Sequence, residues 1–282
     1  MAIRPTIAIV GPGNLGRALA RSLRGAGYRI REVITQDNRS SQKRARDIAM
    51  GARVATASTA RLDAEVVWFC VPDREIAQAA RTLGSQANWE GKIALHSSGA
   101  LASDELEPLR RKGASVASLH PLMTFVSGSQ PRLAGVPFGV EGDTKAVRVA
   151  RRIVHDLKGD MFRLPKQNKV AYHAWGAFTS PLLLSALVAA EEVAGLAGIS
   201  RTAARKRMLP IVAQTLANYA ALGPERAFSG PIIRGDVDTV ARHLKALGKS
   251  PGVKQVYLAL ARAALRNLPV GNRKALERIL KN

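Results

Sequence analysis

Gly11-Pro-Gly-Asn-Leu-Gly16 fits the pattern G-x-G-x-x-G, and its surroundings restrict the fold more than any other stretch of the 282 residues. Thr6-Ile-Ala-Ile-Val10 before it is a short apolar run that reads as a buried strand. Behind it, Leu15, Ala18, Leu19, Ser22 and Leu23 recur at helical spacing, closed by Gly25 and Gly27. A strand that turns through glycines into a helix is the opening unit of a dinucleotide-binding fold. Gly11 permits the tight turn, Gly13 lets the backbone approach a pyrophosphate, and Gly16 allows helix and strand to pack closely. Asn14 and Leu15 then present free N–H groups and the positive end of the helix dipole to phosphates. A glycine-rich turn without a ligand is the competing reading.

Further strands are expected at Tyr28–Ile34, Glu65–Val71, Lys92–Leu95 and Ser115–Leu119, with a helix capped by Ser40 or Ser41 running to Gly51. Strands alternating with helices predict a parallel sheet covered on both faces. After about residue 165 the pattern is helical throughout: 170–197 is Ala- and Leu-rich, 203–221 and 239–247 continue in helical period, and 253–268 reads as a last amphipathic helix. The fold expected is an α/β Rossmann-like dinucleotide-binding domain over residues 1–164, followed by an all-α domain over 165–282, with the boundary near Leu164-Pro165-Lys166. The lone Cys70, inside an apolar strand, excludes an internal disulfide framework and a Cys-based zinc site and reads as core packing. No His/Asp/Glu cluster has metal-ligand spacing. The apolar block at 182–190 stops at Glu191 and Glu192, short of a bilayer span, and Met1–Thr6 carries no secretory apolar region. A cytoplasmic protein without a membrane segment is expected.

Charge is the unusual quantity: 43 basic against 21 acidic residues, a net +22, with Arg the more frequent base. Such a surface field favours anionic partners. Nucleic acid is the weaker candidate, because aromatics for base stacking make up 5% and no zinc-finger or RNP-type motif is present. A phosphorylated cofactor or an acidic substrate fits better. At the tip of the second strand, where an NAD enzyme usually places Asp or Glu for the ribose 2′-hydroxyl, the chain reads Thr35-Gln-Asp-Asn-Arg-Ser-Ser41. Asn38, Arg39 and Ser40 can donate to a 2′-phosphate, with Lys43, Arg44 and Arg46 adding positive field. NADP is therefore favoured over NAD, with Asp37 the discordant residue.

With the glycine loop, Val71-Pro-Asp73, His96-Ser-Ser-Gly-Ala100 and His120-Pro-Leu122 taken together, the chain resembles a family of predicted oxidoreductases. These pair a Rossmann-like domain with a helical domain of unknown function (domain of unknown function 2520). The resemblance continues into Lys169-Val-Ala-Tyr-His173 and Ser229-Gly-Pro-Ile-Ile-Arg-Gly-Asp236, and so covers nearly the whole length. It departs at Pro181, where Asn would be expected after Ser180, which predicts a kink in the long helix. The architecture is similar to that of β-hydroxyacid dehydrogenases, pyrroline-5-carboxylate reductase and prephenate dehydrogenase, and the helical part to the C-terminal domain of 6-phosphogluconate dehydrogenase. What this implies is a cofactor lying in an interdomain cleft, a small substrate met from the helical side, and a homodimer built through the helical domain.

Hydride transfer needs a group that gives or takes a proton beside the nicotinamide. His120, at the carboxyl end of its strand, is the first candidate, and its resemblance to the His-Pro of prephenate dehydrogenases implies an acid/base role. Ser97 and Ser98 end the neighbouring strand, and a hydroxyl there could orient substrate oxygen or the nicotinamide carboxamide; a turn that caps the next helix is the alternative. Val71 and Pro72 are placed along the cofactor. Lys169 resembles the catalytic Lys of the β-hydroxyacid dehydrogenases, but Tyr172 and His173 stand where that motif has two Asn. Arg234, in a glycine-flanked loop, suits capture of a substrate carboxylate or, equally, pairing with Asp236 or Asp238. Two functions remain open: an NADP-dependent oxidoreductase acting on a small anionic carbonyl, hydroxyl or imine compound, and an NADP(H)-binding protein without catalysis.

Overall fold

The computed structural model describes residues 4–129 and 131–281; Met1–Ile3, part of the stretch read above for a leader, lie outside the described residues, as do Gln130 and Asn282. The chain divides into two compact units, 1–177 and 178–282. The first is built from β1 (Ile7–Val10), α1 (Asn14–Gly25), β2 (Ile30–Thr35), α2 (Arg39–Ala49), β3 (Arg53–Thr56), β4 (Val66–Phe69), α3 (Asp73–Gly84), β5 (Ile93–His96), α4 (Glu107–Arg110), β6 (Ser115–Pro121), β7 (Pro137–Gly142), α5 (Thr144–Asp156) and β8 (Asp160–Arg163). Most of α6 (Lys169–Thr179) belongs to it as well. The strands form one sheet in the order β3-β2-β1-β4-β5-β6-β7-β8.

From β3 to β6 every pairing is parallel, as the alternation predicts, but β7 runs antiparallel to β6 and β8 runs parallel to β7. The sheet is therefore mixed rather than wholly parallel. Burial explains which strands were legible: β1, β4 and β5 are buried at every position and read as unbroken apolar runs. By contrast, β3 (RVAT), β7 (PFGVEG) and β8 (DMFR) are polar or interrupted by glycine and give no such signal. Pairing with β7 also carries β6 through His120 and Pro121, opposite Gly139 and Phe138, so His120 occupies a ladder position at the carboxyl end of its strand. The helix over 39–49 is capped by Asn38, whose side-chain oxygen accepts from the Ser41 amide, and not by either serine.

The expected boundary at 164/165 precedes the compact division because the start of α6 belongs physically to the sheet domain. Lys169 and Tyr172, one turn apart, are buried there, 2% and 6% exposed. The second unit continues with α7 (Pro181–Leu196), α8 (Arg201–Ala227), α9 (Pro231–Arg234), α10 (Val237–Ala246), α11 (Pro251–Asn267) and α12 (Arg273–Ile279). No strand is present after Arg163 among the described residues. The helix at 251–267 is not the last, since α12 follows and contributes Leu276 and Leu280 to a small core with Val240, Leu258, Ala261 and Leu265. At Pro181 the long helix does break: Ser180 leaves helical geometry at φ −129° and α7 starts anew on the proline.

One expectation about membranes changes in the same region. The helical stretch Lys166–Leu196 contains a window of mean hydropathy 1.4, long and apolar enough by length and composition to cross a bilayer, and only 6% of that window is buried.

Candidate functional site

Because β1 to β6 are parallel, their carboxyl ends share one edge of the sheet, and the candidate residues collect there. At the end of β1, Gly11 takes φ +102° and its amide donates to the carbonyl of Ile34, tying the loop to β2. A Cβ on Gly11 would come within 2.7 Å of the Cys70 carbonyl, and one on Gly16 within 2.1 Å of the Gly11 carbonyl, so the protein itself demands glycine at both. Gly13 differs. It has an ordinary φ of −72°, and a Cβ there would meet no protein atom within 4 Å. The open space beside it is a groove of about 710 Å³ running from the glycine loop past Val71 and Pro72 to the ends of β2 and α2. Asn14, the first residue of α1, donates through its side chain to the Phe125 carbonyl, so the segment after β6 reaches back to the loop. Leu15 packs half-buried against the core of the domain.

At the far end of the groove the basic tip is organised differently from its sequence reading. Asn38 is engaged as the helix cap and its amide donates to Gln36. Asp37 accepts from Gln42. Arg39 and Ser40 are exposed in the first turn of α2, while Arg44 lines the groove, its guanidinium held by Ser40 Oγ at 2.6 Å and Ser41 Oγ at 2.8 Å. Arg74, at the start of α3, lines it too and was not singled out from sequence. Thr35 is 6% exposed, and its Oγ1 is a buried polar atom without a hydrogen-bond partner on the groove wall. Such an orphan is uncommon in a folded chain.

The serines after β5 are turned inward. Ser97 Oγ accepts from the indole of Trp68 at 2.8 Å, and Ser98 Oγ donates to Asp73 while accepting from the amides of Ala100 and Leu101. Both hydroxyls thus tie the 97–101 turn to β4 and α3, and neither caps the next helical turn, which begins at Ser103 behind Ala102. Lys169 is likewise committed: Nζ donates to the Ser98 carbonyl at 2.9 Å and to Ser118 Oγ at 2.5 Å. Burial lowers its pKa to about 8, partly offset by Glu141 and Asp73. Cys70 is buried, its thiol pushed well above the usual range by desolvation, in keeping with a packing role.

His120 keeps an available nitrogen. Its Nδ1 lies 2.8 Å from the hydroxyl of Tyr172, whereas Nε2 makes no hydrogen bond among the described residues and is not among the sealed, unpartnered atoms. Burial and the nearby Lys169 and His173 lower its pKa to about 4, so the ring is neutral at physiological pH. Two glycines make room for this pair: a Cβ on Gly99 would lie 3.0 Å from His120 Nε2, and one on Gly139 would lie 3.1 Å from the Tyr172 oxygen. His173 is exposed, its ring centroid 6.3 Å from that of His120. The structure therefore brings Ser98, His120, Lys169 and His173 together at one edge of one domain. Arg234 belongs to the helical unit, where it is exposed beside Gly235, and Asp236 serves as the cap of α10 by accepting from the Thr239 amide. Tyr172 was visible in the sequence as a residue one turn after Lys169, but its bond to His120, 52 positions earlier, was not, and neither was the room made by Gly99 and Gly139.

Residues 2–121 match the model of a Rossmann-like domain and residues 136–264 that of domain of unknown function 2520. Among solved structures, a Bacteroides fragilis protein described provisionally as an NADP oxidoreductase aligns over 92% of this chain and 97% of its own, at 21% identity and a TM-score of 0.76. A Thermotoga maritima protein aligns over 96% and 98%, at 23% identity and a TM-score of 0.72. A reductive aminase of Aspergillus terreus, solved with NADPH and ethyl-5-oxohexanoate, aligns over 98% and 99%, at 18% identity and a TM-score of 0.67. No curated protein matches the chain by sequence. At these identities the likeness is one of fold: a parallel-stranded dinucleotide-type domain followed by helices.

Proposed function

We propose that this chain, which joins a Rossmann-like domain to domain of unknown function 2520, is an NADP-dependent oxidoreductase for a small anionic carbonyl, hydroxyl or imine compound. The observation that carries the reading is the shared carboxyl edge. A glycine loop with open space beside Gly13 and a neutral histidine with a free nitrogen lie three strand spacings apart on it, ~14 Å. The residues fit the cofactor: Gly11, Gly13 and Gly16 with the N-terminus of α1 suit a pyrophosphate, Val71 and Pro72 line the same groove, and Arg44 with the exposed Arg39 suits the 2′-phosphate end. When bound, the nicotinamide gives or takes the hydride. The chain's own part is to orient the substrate and move one proton, and His120 Nε2 is placed for that step. Lys169 holds the turn that carries Ser98, and its charge adds to the burial that keeps His120 neutral. Arg234 is the proposed holder of a substrate carboxylate, and a cytoplasmic setting accompanies this reading. The exposed apolar faces of α7 and α8 support a homodimer.

Parallel titrations with NADPH and NADH, followed by nucleotide fluorescence, test the cofactor assignment. Selective NADPH binding is expected, and Arg44→Ala is expected to weaken NADPH roughly 10- to 100-fold, the scale of a lost charge-assisted contact, with NADH changed far less. Equal loss for both nucleotides would remove Arg44 from 2′-phosphate recognition.

A second reading, binding of NADP(H) without catalysis, is favoured by one observation: the Ser98 hydroxyl and the Lys169 amine, both candidates for handling substrate, are occupied by the protein itself. His120→Ala separates the two. The oxidoreductase reading expects turnover of a substrate found by screening keto acids and imines to fall about a hundredfold while NADPH affinity holds. Unaltered turnover would exclude His120 from the chemistry.

A further inference from the structure

We propose that Tyr172 is a positioning residue for His120: its hydroxyl donates to Nδ1 and thereby keeps the imidazole proton on Nε2, the nitrogen that faces the open edge of the sheet. The inference rests on the reading of His120 as the proton-handling group, and it assigns a role to a side chain that departs from the Asn of the hydroxyacid pattern.

The geometry is local and sealed. Tyr172 is 6% exposed, its oxygen is 2.8 Å from His120 Nδ1, and the two rings meet edge to face with centroids 5.4 Å apart. His120 Nδ1 is the hydrogen-bond partner of the Tyr172 oxygen among the described residues. A phenol has one hydrogen to give. That hydrogen finds its acceptor in His120 Nδ1. The opposite tautomer, Nδ1–H pointing at the phenol, would leave the buried hydroxyl hydrogen without an acceptor among the described residues, at a desolvation cost. The tautomer is thus set by the partner of the other ring nitrogen.

The surrounding groups keep the pair in its neutral form. Lys169 and His173, both on α6, oppose a positive charge on His120; His96 on β5 is itself neutral, its Nδ1 accepting from the Ser98 amide and its Nε2 bonded to the Ala102 carbonyl. Gly139 on β7 and Gly99 in the 97–101 turn bring no side chain of their own to the pair. Burial pushes the Tyr172 hydroxyl up to about 12, so it remains a donor across the physiological range. What results is a neutral imidazole whose Nε2–H can be given to a substrate oxygen or nitrogen while Nδ1 takes the phenolic hydrogen of Tyr172, so that the ring stays neutral and no imidazolate forms.

Long-range ¹⁵N–¹H correlation spectra of protein labelled at histidine test this without any substrate, with His120→Gln assigning the signals. At pH 7 the parent is expected to show His120 with a protonated Nε2 and a bare, pyridine-like Nδ1. In Tyr172→Phe, which keeps the ring packing, the two nitrogens are expected to move toward averaged shifts as both tautomers become populated. A parent spectrum with the proton on Nδ1 overturns the proposal, and so does a Tyr172→Phe spectrum that still shows pure Nε2–H. Should the variant fail to fold, the parent spectrum alone decides. NADPH added to the same sample reads the oxidoreductase proposal separately: a correct tautomer with no nucleotide binding leaves Tyr172 in its role and removes the cofactor reading instead.

Discussion

Gly16→Ala is expected to abolish NADPH binding and to lower the melting temperature on the order of 10 °C, whereas Gly13→Ala is expected to lose nucleotide affinity while melting close to the parent. The contrast follows from what each methyl group would meet. At Gly16 the new Cβ would sit 2.1 Å from the Gly11 carbonyl oxygen, a backbone atom that cannot swing aside. Relief requires the first strand and helix to separate, at roughly 3 kcal/mol or more, and a chain of this size loses about 2–4 °C per kcal/mol. At Gly13 nothing protein lies within 4 Å and the backbone is in an extended conformation open to alanine. Alanine is a poorer helix cap than glycine there, but it also restricts the unfolded chain, and the two effects, each below about 1 kcal/mol, oppose one another. The glycine at 13 therefore serves no internal packing need and leaves room for something outside the chain. Thermal melts and NADPH titrations of both variants separate the cases. If Gly13→Ala binds NADPH as the parent does, the open space is not a phosphate site and the loop is only a turn.

These two glycines also show what kind of information a sequence exposes. The β1–loop–α1 unit was legible because its strand, glycine turn and helix follow one another directly in the chain and each element has its own period. The sheet reversal at β7 was not, because antiparallel pairing of Ala117 with Gly142 and His120 with Gly139 is decided by partners distant in the chain, and β7 itself is broken by glycines. The same distance hid the site's wiring. Ser97 was visible as a hydroxyl at a strand end, but its partner Trp68 sits 29 positions earlier, and Lys169 finds the Ser98 carbonyl across 71 residues. A side chain's type suggests its chemistry; whether it remains free for that chemistry depends on who else reaches it. Domain limits suffered likewise. The change from mixed to purely helical patterning at 164 is genuine, yet the first turns of α6 are anchored in the sheet by Lys169 and Tyr172, so packing draws the line later than composition does.

The protein is expected to sediment as a dimer at micromolar concentration, and Leu184→Asp with Val188→Asp is expected to yield monomer that retains NADPH binding. Helix α7 buries only Glu191 of its 16 residues and α8 only Ala204 of its 27, although both carry many large apolar side chains. On α7 alone Leu182, Leu183, Leu184, Val188, Val193 and Leu196 are exposed, Leu184 at 62%. Covering six such side chains is worth on the order of 10 kcal/mol, and this much exposed apolar surface on one helix is uncommon on a monomer. Two occupants could cover it, a second copy of the chain or lipid, since the window in Lys166–Leu196 has the mean hydropathy of a membrane span. The second copy is favoured by three features. The stretch is interrupted at Ser180, and the helical runs on either side, 11 and 16 residues, are each shorter than the ~20 needed to span a bilayer. Glu191 and Arg205 form a two-pronged ion pair, 2.7 and 2.9 Å, that ties α7 to α8 and holds the Glu191 carboxyl below its usual range. And α8, which shares the surface, begins with Arg201, Arg205, Lys206 and Arg207, charges that suit a rim in water and are costly in hydrocarbon. Sedimentation equilibrium with and without neutral phospholipid vesicles distinguishes the occupants. A monomer that floats with the vesicles would assign the face to lipid, and a monomer indifferent to them would mean that the apolar surface has neither role; a dimer converted to monomer by two carboxylates on α7 would place the partner's helices against that face.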